Sequence, residues 1–259
     1  MSPGELIRPY ACQVELAVVA WFALGVFAGS VAYRLADYLL ERRSADPPGA
    51  SFTPRCPRCG ATRRLLANVA TIARPLRQRC RECGFLPGFD QIAWEIGVGV
   101  AFAILAAIAP TAVEAAWAAI VTLTLVVATL TDLRARIIPN ALTFPMSAAA
   151  MVASFLPGGV GIVAAALGGA MGFGLAMGIW LLGRLLYRRG DVFGLGDVKL
   201  AMFIGAALGS QDVVRALVYG ILAGGASAVA LLFLGRSRKT TMPYGPAMAL
   251  GAFAALVTR

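Results

Sequence analysis

The chain contains no histidine. That absence removes Ser-His-Asp triads, H-E-x-x-H zinc proteases, Cys-His nucleophiles and every zinc site that needs an imidazole. Carboxylate, Lys, Tyr, Ser and Cys remain as the catalytic repertoire. Charge is scarce too: 14% of the 259 residues are Asp, Glu, Lys or Arg, against 59% hydrophobic. With a mean hydropathy of +0.77, the composition lies far outside soluble globular domains and predicts an all-α polytopic membrane protein. A formal charge of +10 would suit a nucleic-acid partner only if the basic residues gathered on a folded soluble face. They lie instead between apolar runs, so the expected partner is the lipid bilayer, not nucleic acid, and positive-inside bias is the expected cause.

A spanning helix needs about 20 apolar residues. The candidates are residues 12–33, 91–109, 112–131, 141–157, 160–186 and 213–234, with shorter ones at 198–209 and 243–258, giving about eight transmembrane helices. The stretch Val14–Val31 is long enough to span and leads to Tyr33-Arg34, so it reads as a retained helix rather than a signal peptide. Small residues crowd the later helices, as in Leu167–Gly174 and Gly224-Gly225-Ala226-Ser227. They permit close helix approach, although glycine is also simply common in membrane helices.

Orientation follows from Lys and Arg. Segment 34–90 holds eleven arginines against five acidic residues and should be cytoplasmic. The link near Pro110 carries no basic residue, the link Asp132–Asn140 has Arg134 and Arg136, and the turn Pro157-Gly158-Gly159 has none. After the fifth span come Arg184, Arg188, Arg189 and Lys199; the turn Ser210-Gln211-Asp212 has only Arg215 nearby; Arg236, Arg238 and Lys239 follow the seventh. If 198–209 failed to cross, that last cluster would fall outside, so charge bias requires the short segment to span. Both termini are then expected outside, with positions 132 and 197 at the cytoplasmic face.

Cys56-Pro57-Arg58-Cys59-Gly60 and Cys80-Arg81-Glu82-Cys83-Gly84 form two C-x-x-C-G knuckles with 20 residues between Cys59 and Cys80. Four thiolates at this spacing suit a tetrahedral zinc site, with glycine relieving each tight turn. Redox-active or unpaired thiols are the competing readings; structural disulfides are disfavoured on a reducing cytoplasmic side. A closed four-cysteine site offers no position for substrate, so its zinc is expected to be structural. Segment 34–90 lacks a long apolar run, and metal binding should supply much of its folding free energy. Cys12 stands alone and reads as a small hydrophobe.

Asp132 follows the apolar run Ala118–Thr131, and Asp197 closes Gly194-Leu195-Gly196-Asp197 just before the apolar run Val198–Leu208. Ionisable groups at the edge of a hydrocarbon slab are costly and default to functional hypotheses. Plainer readings exist: Asp197 as a helix cap, Asp132 as a headgroup-level carboxylate paired with Arg134 or Arg136. The flanking sequence favours function. Gly194 and Gly196 permit close backbone approach and positive φ, and Ile137-Ile138-Pro139-Asn140 keeps the Asp132 link short with a proline helix start. Two meeting carboxylates share a proton, so one can act as base on water and the other as acid. That division suits peptide hydrolysis without a covalent intermediate.

The combination resembles the type IV prepilin peptidases, and the resemblance covers most of the chain. It rests on the knuckles Cys56–Cys83, the stretch Thr131–Asn140, Gly194-Leu195-Gly196-Asp197-Val198-Lys199-Leu200, and Met242-Pro243-Tyr244-Gly245-Pro246-Ala247. It implies a membrane aspartic endopeptidase of the bacterial cytoplasmic membrane, cleaving the basic leader of type IV prepilins or type II secretion pseudopilins at the cytoplasmic face. It carries the catalytic roles to Asp132 and Asp197, the zinc-ligand roles to Cys56, Cys59, Cys80 and Cys83, and places the Pro243–Pro246 turn near the catalytic pair. Many members also methylate the new N-terminus with S-adenosylmethionine. Here Gly29-Ser30 runs into Val31-Ala32-Tyr33-Arg34-Leu35-Ala36, without the asparagine and proline usual in that stretch, and Phe85–Asp90 also departs; these departures bear on methylation.

The expected organisation is a first transmembrane helix at 1–33, a cytoplasmic zinc-binding domain at 34–90, and a transmembrane peptidase domain at 91–259. Glu95 matches a glutamate of the family, or else stays hydrated near the interface. Lys199 either tunes Asp197 or snorkels. Rival readings are a presenilin-like intramembrane protease, which shares Gly-x-Gly-Asp but lacks zinc knuckles, and a transporter or assembly scaffold using the aspartates as ion sites.

Overall fold

The computed structural model describes residues 3–42, 56, 58–62, 68–187, 194–233 and 243–259, with side chains from Glu15 onward except Leu232. Among these residues there is no strand. The helices are α1 (Pro3–Glu41), α2 (Ala70–Ala73), α3 (Phe89–Ile108), α4 (Ala112–Ala135), α5 (Asn140–Ala153), α6 (Ile162–Tyr187), α7 (Leu195–Leu208), α8 (Val213–Phe233) and α9 (Gly245–Val257). Leaving aside the single turn of α2, the other eight helices among the described residues match the eight apolar runs. Arg188, Arg189, Arg236, Arg238, Lys239, Met242, Pro57 and the Cys12 side chain lie outside the described residues, as do 43–55 and 63–67.

Five helices are long and apolar enough to cross a membrane: α1 from Glu15, α3, α4, α6 and α8 up to Leu231. α5 and α9 are shorter apolar helices, and α7 has 14 residues, which rise about 21 Å. Helix α1 runs on to Glu41, past the expected span end at residue 33.

The chain divides into two compact units, Met1–Ala119 and Ile120–Arg259, with the boundary inside α4. In the first unit α1 packs closely along α3. A Cβ on Gly25 would lie 2.8 Å from both Gly99 Cα and Val98 O, so glycine is what lets the two backbones touch. Trp21 and Phe102 flank this crossing with ring centroids 6.0 Å apart.

In the second unit α6 packs on α7 and α8 on α9, again through small residues. A Cβ on Gly168 would strike the Gly205 carbonyl, and one on Gly251 the Gly220 amide. Gly174 and Gly178 face open space, so only part of the glycine-rich run is explained by packing. Helix α7 is the most enclosed of the long described helices, with ten of its 14 residues buried, and α9 follows with eight of 13.

Candidate active site and metal centre

Helix α4 carries four buried threonines, Thr122, Thr124, Thr129 and Thr131, and ends in a buried aspartate, Asp132. Thr124 Oγ1 donates to Ile120 O and Thr131 Oγ1 to Ala128 O, so these hydroxyls are satisfied within the helix. The helix stops because Arg136 adopts φ 54, a left-handed residue that closes the last turn by donating its N–H to Asp132 O at 2.8 Å. Pro139, extended at φ −66, then starts α5, so the link between α4 and α5 is short, as its proline suggested.

Asp132 is 6% exposed. Its Oδ2 accepts the backbone N–H of Gly245, the first residue of α9, at 2.8 Å. Asp197 is the third residue of α7 and 8% exposed. Its Oδ2 accepts the Gly194 N–H at 3.0 Å, and its own N–H donates to Gly194 O at 3.0 Å. The glycines before Asp197 do not adopt positive φ: Gly194 is extended at φ −84 and Gly196 is helical. Close approach is their use, since a Cβ on Gly196 would sit 3.2 Å from Ile138 Cβ. Gly196 thereby sets the start of α7 against the α4–α5 link.

Asp132 and Asp197 lie within electrostatic reach of each other, and Tyr244 within reach of Asp197. The Tyr244 ring also packs over Gly224, where a Cβ would meet Cε2 at 3.2 Å. Lys199 points elsewhere: its Nζ donates to Asn140 Oδ1 at 2.7 Å and lies 5.6 Å from the centroid of Phe144. It ties α7 to α5.

The four cysteines converge in the first unit. All four Sγ atoms lie within 4.8 Å of one another, and the thiols are free. Cys56 and Cys83 approach to 3.5 Å, and Cys59 and Cys80 to 3.6 Å. A tetrahedron of sulfurs about 2.3 Å from a central ion has edges of about 3.8 Å, so the cluster fits a metal ion with little adjustment. The two knuckles are built alike. In each, the first Cys N–H donates five residues ahead (Cys56 to Ala61 O, Cys80 to Phe85 O), and Gly60 and Gly84 donate back to Cys56 O and Cys80 O. Those glycines take φ 73 and 69, where a side chain would be strained.

The thiols are not equivalent. The backbone amides of Cys83 and Glu82, with help from nearby thiols, lower Cys80 to about 6. The Ala61 amide pulls Cys59 down, yet desolvation and the three surrounding sulfurs push it up to about 12. Four crowded thiols cannot all ionise until a cation compensates the charge.

Glu95 corrects one expectation. It is not hydrated but fully buried. Its carboxylate accepts the Ala70 N–H and Gln91 Nε2, each at 2.8 Å, the Thr71 N–H at 2.8 Å, and the Thr71 hydroxyl. It thus caps α2, and a buried carboxylate with four donors is well compensated. Ser30 Oγ and Gln91 Nε2 both donate to Asn68 O, at 2.9 and 2.8 Å, and Tyr33 donates to Asp90 Oδ2 at 2.5 Å. Asn68, Gln91 and the Gly245 amide were invisible in the sequence: the first two carry no motif, and the third acts through its backbone.

A model of the type IV leader peptidase family matches residues 119–229, which include both aspartates. The chain is 26% identical to a prepilin leader peptidase/N-methyltransferase of Burkholderia pseudomallei strain K96243 over 268 residues, covering 96% of this chain and 86% of that protein. It is 27% identical to the protein of the same description in Aeromonas hydrophila, covering 82% and 74%. With its counterpart in Bacillus subtilis strain 168 it shares 29%, covering 90% and 91%. No solved structure matches significantly. The family match thus spans α4 to α8 and both aspartates, and over most of its length, paired knuckles included, the chain is similar to proteins described as prepilin leader peptidase/N-methyltransferase.

Proposed function

We propose that the protein is a membrane aspartic endopeptidase that removes the basic leader from type IV prepilins or type II secretion pseudopilins, with Asp132 and Asp197 as the catalytic pair. The observation that carries this reading is that two enclosed carboxylates, 65 positions apart, lie within electrostatic reach of each other, each held through one oxygen by one backbone amide. One carboxylate takes a proton from the water that attacks the scissile carbonyl. The other gives a proton to the departing nitrogen as the C–N bond breaks.

In this reading the pair faces the cytoplasm of a bacterium from its inner membrane, and the apolar stem of the precursor enters laterally from the bilayer. Segment 34–90 forms the metal-binding domain, with zinc held by Cys56, Cys59, Cys80 and Cys83, and 91–259 forms the peptidase domain. Zinc there would cross-link the two knuckles and take no part in hydrolysis.

The relatives' names pair leader peptidase with N-methyltransferase, and we extend that second activity to this chain. Its methyl donor would be S-adenosylmethionine. In the first unit the Asn68 side-chain amide is buried with both its nitrogen and its oxygen unpartnered. It is the group whose hydrogen bonds such a donor, or a bridging water, would complete.

The test is cleavage of a prepilin in membranes by the wild type, Asp132→Ala and Asp197→Ala at matched expression. Loss in both variants supports the pair, and full cleavage by either sinks it. Labelled methyl transfer to the processed product decides the second activity.

A further inference from the structure

The two aspartates stand at opposite ends of their own helices. Asp197 lies in the first turn of α7, where backbone N–H groups have no partner inside the helix and donors are at hand. Its amide partner, Gly194, is three residues away. Asp132 lies in the last turn of α4. There the free backbone groups are carbonyls, which repel a carboxylate rather than hold it. Its donor must come from elsewhere in the chain, and it comes from residue 245, 113 positions along.

Gly245 is buried, opens α9 and precedes Pro246. Glycine is required there for a steric reason. A Cβ built on it would lie 2.7 Å from Asp132 Oδ2 and 3.1 Å from both Cβ and Cγ of Asp132. The N–H can reach the carboxylate at 2.8 Å only because no side chain stands in between. Even one methyl group would push the carboxylate out of its present position.

Resting on the aspartate reading above, we propose that Gly245 is a positioning residue for Asp132. It supplies from α9 the donor that α4 cannot, and leaves space for the carboxylate to meet it. The dock also makes the α8–α9 hairpin part of the site, because α9 must be seated for Asp132 to be aimed.

The experiment uses the full chain in membranes with a prepilin substrate. Gly245→Ala keeps the amide and adds the obstructing methyl; Gly245→Val adds more. A displacement of about 1 Å costs a catalytic group on the order of 100-fold in rate, so kcat is expected to fall about that much in Gly245→Ala, and further in Gly245→Val, with KM little changed. The pH profile of kcat should shift, because the environment of one titrating carboxylate has changed. Gly25→Ala is the control. It crowds the α1–α3 crossing at Gly99 and Val98, outside the aspartate site, and should lower the unfolding temperature without moving the pH profile.

Wild-type kcat and pH profile in Gly245→Ala would overturn the proposal, as would the same profile shift in Gly25→Ala. Asp132→Asn, measured alongside, separates the two levels. Cleavage by Asp132→Asn removes the aspartate reading itself, whereas an inactive Asp132→Asn beside a fully active Gly245→Ala removes only the role of Gly245.

Discussion

The cysteine cluster and the aspartate pair are assembled in opposite ways. Each knuckle is a local object: five residues, a left-handed glycine and two backbone hydrogen bonds present two sulfurs, and the pattern is repeated almost bond for bond at Cys56 and Cys80. The aspartate site has no local unit. It takes one carboxylate from the end of α4, another from the start of α7, and an amide from the start of α9. A site built from turns is set by spacing and completed by an ion. One built from helix ends depends on packing between helices, and so on glycines such as Gly196 and Gly245 at the contacts.

The largest expected effect tests the non-local site. Asp132→Ala or Asp197→Ala should lower prepilin cleavage by about 1,000-fold or more, the upper part of the range for a proton-transfer group, with protein level and metal content unchanged. A parallel loss of metal would show that the two sites are not separable.

Next comes the local site. Cys80→Ser should reduce metal content from about one ion per chain to near zero, while slowing cleavage far less than the aspartate variants do. Acid should act in the same direction. Protons compete with the ion for the four sulfurs, and a bound cation holds the pKa of each thiol below its metal-free value, which at Cys80 is about 6. Bound metal, followed by elemental analysis, should therefore persist at about pH 6, fall at lower pH and return on neutralisation.

A smaller effect is expected at Glu95. Glu95→Ala leaves the buried Ala70 amide and the half-buried Thr71 amide without their acceptor, at about 1–3 kcal/mol for the first. It should loosen α2 from α3 and speed thiol labelling of the metal-free cysteines. Unchanged labelling would detach the cluster from Glu95. The smallest effect is at Lys199. Lys199→Met removes one hydrogen bond and one cation–π contact, worth about 1 kcal/mol together when exposed. The pH profile of cleavage should stay put, since the ammonium is engaged with α5 rather than with Asp197.

The same contrast decides what could be read in advance. The eight long helices follow from apolar runs, because a bilayer leaves backbone polar groups no other partner. The cysteine site follows from spacing, because each knuckle is completed within six residues. Asp132 and Asp197 stand out because carboxylates are rare beside apolar runs, but what holds them does not. Gly194 and Gly196 suggested positive φ, whereas one supplies an amide and the other a close contact with Ile138. Glu95 looked hydrated by its position near a helix start. Only the fold places residues 68–71 above it, and a sequence does not say which loop will return to cover a carboxylate.

The enclosure of α7 bears on the lipid itself. A lipid-facing helix of about 21 Å in about 30 Å of hydrocarbon would tilt, thin the bilayer or drag polar ends inward, and its depth would vary with acyl-chain length. With ten of its 14 residues covered by protein, α7 is shielded from that mismatch, and the depth of Asp197 is set by neighbouring helices. The position of the carboxylate relative to its partners is therefore set by contacts within the protein rather than by contact of α7 with lipid.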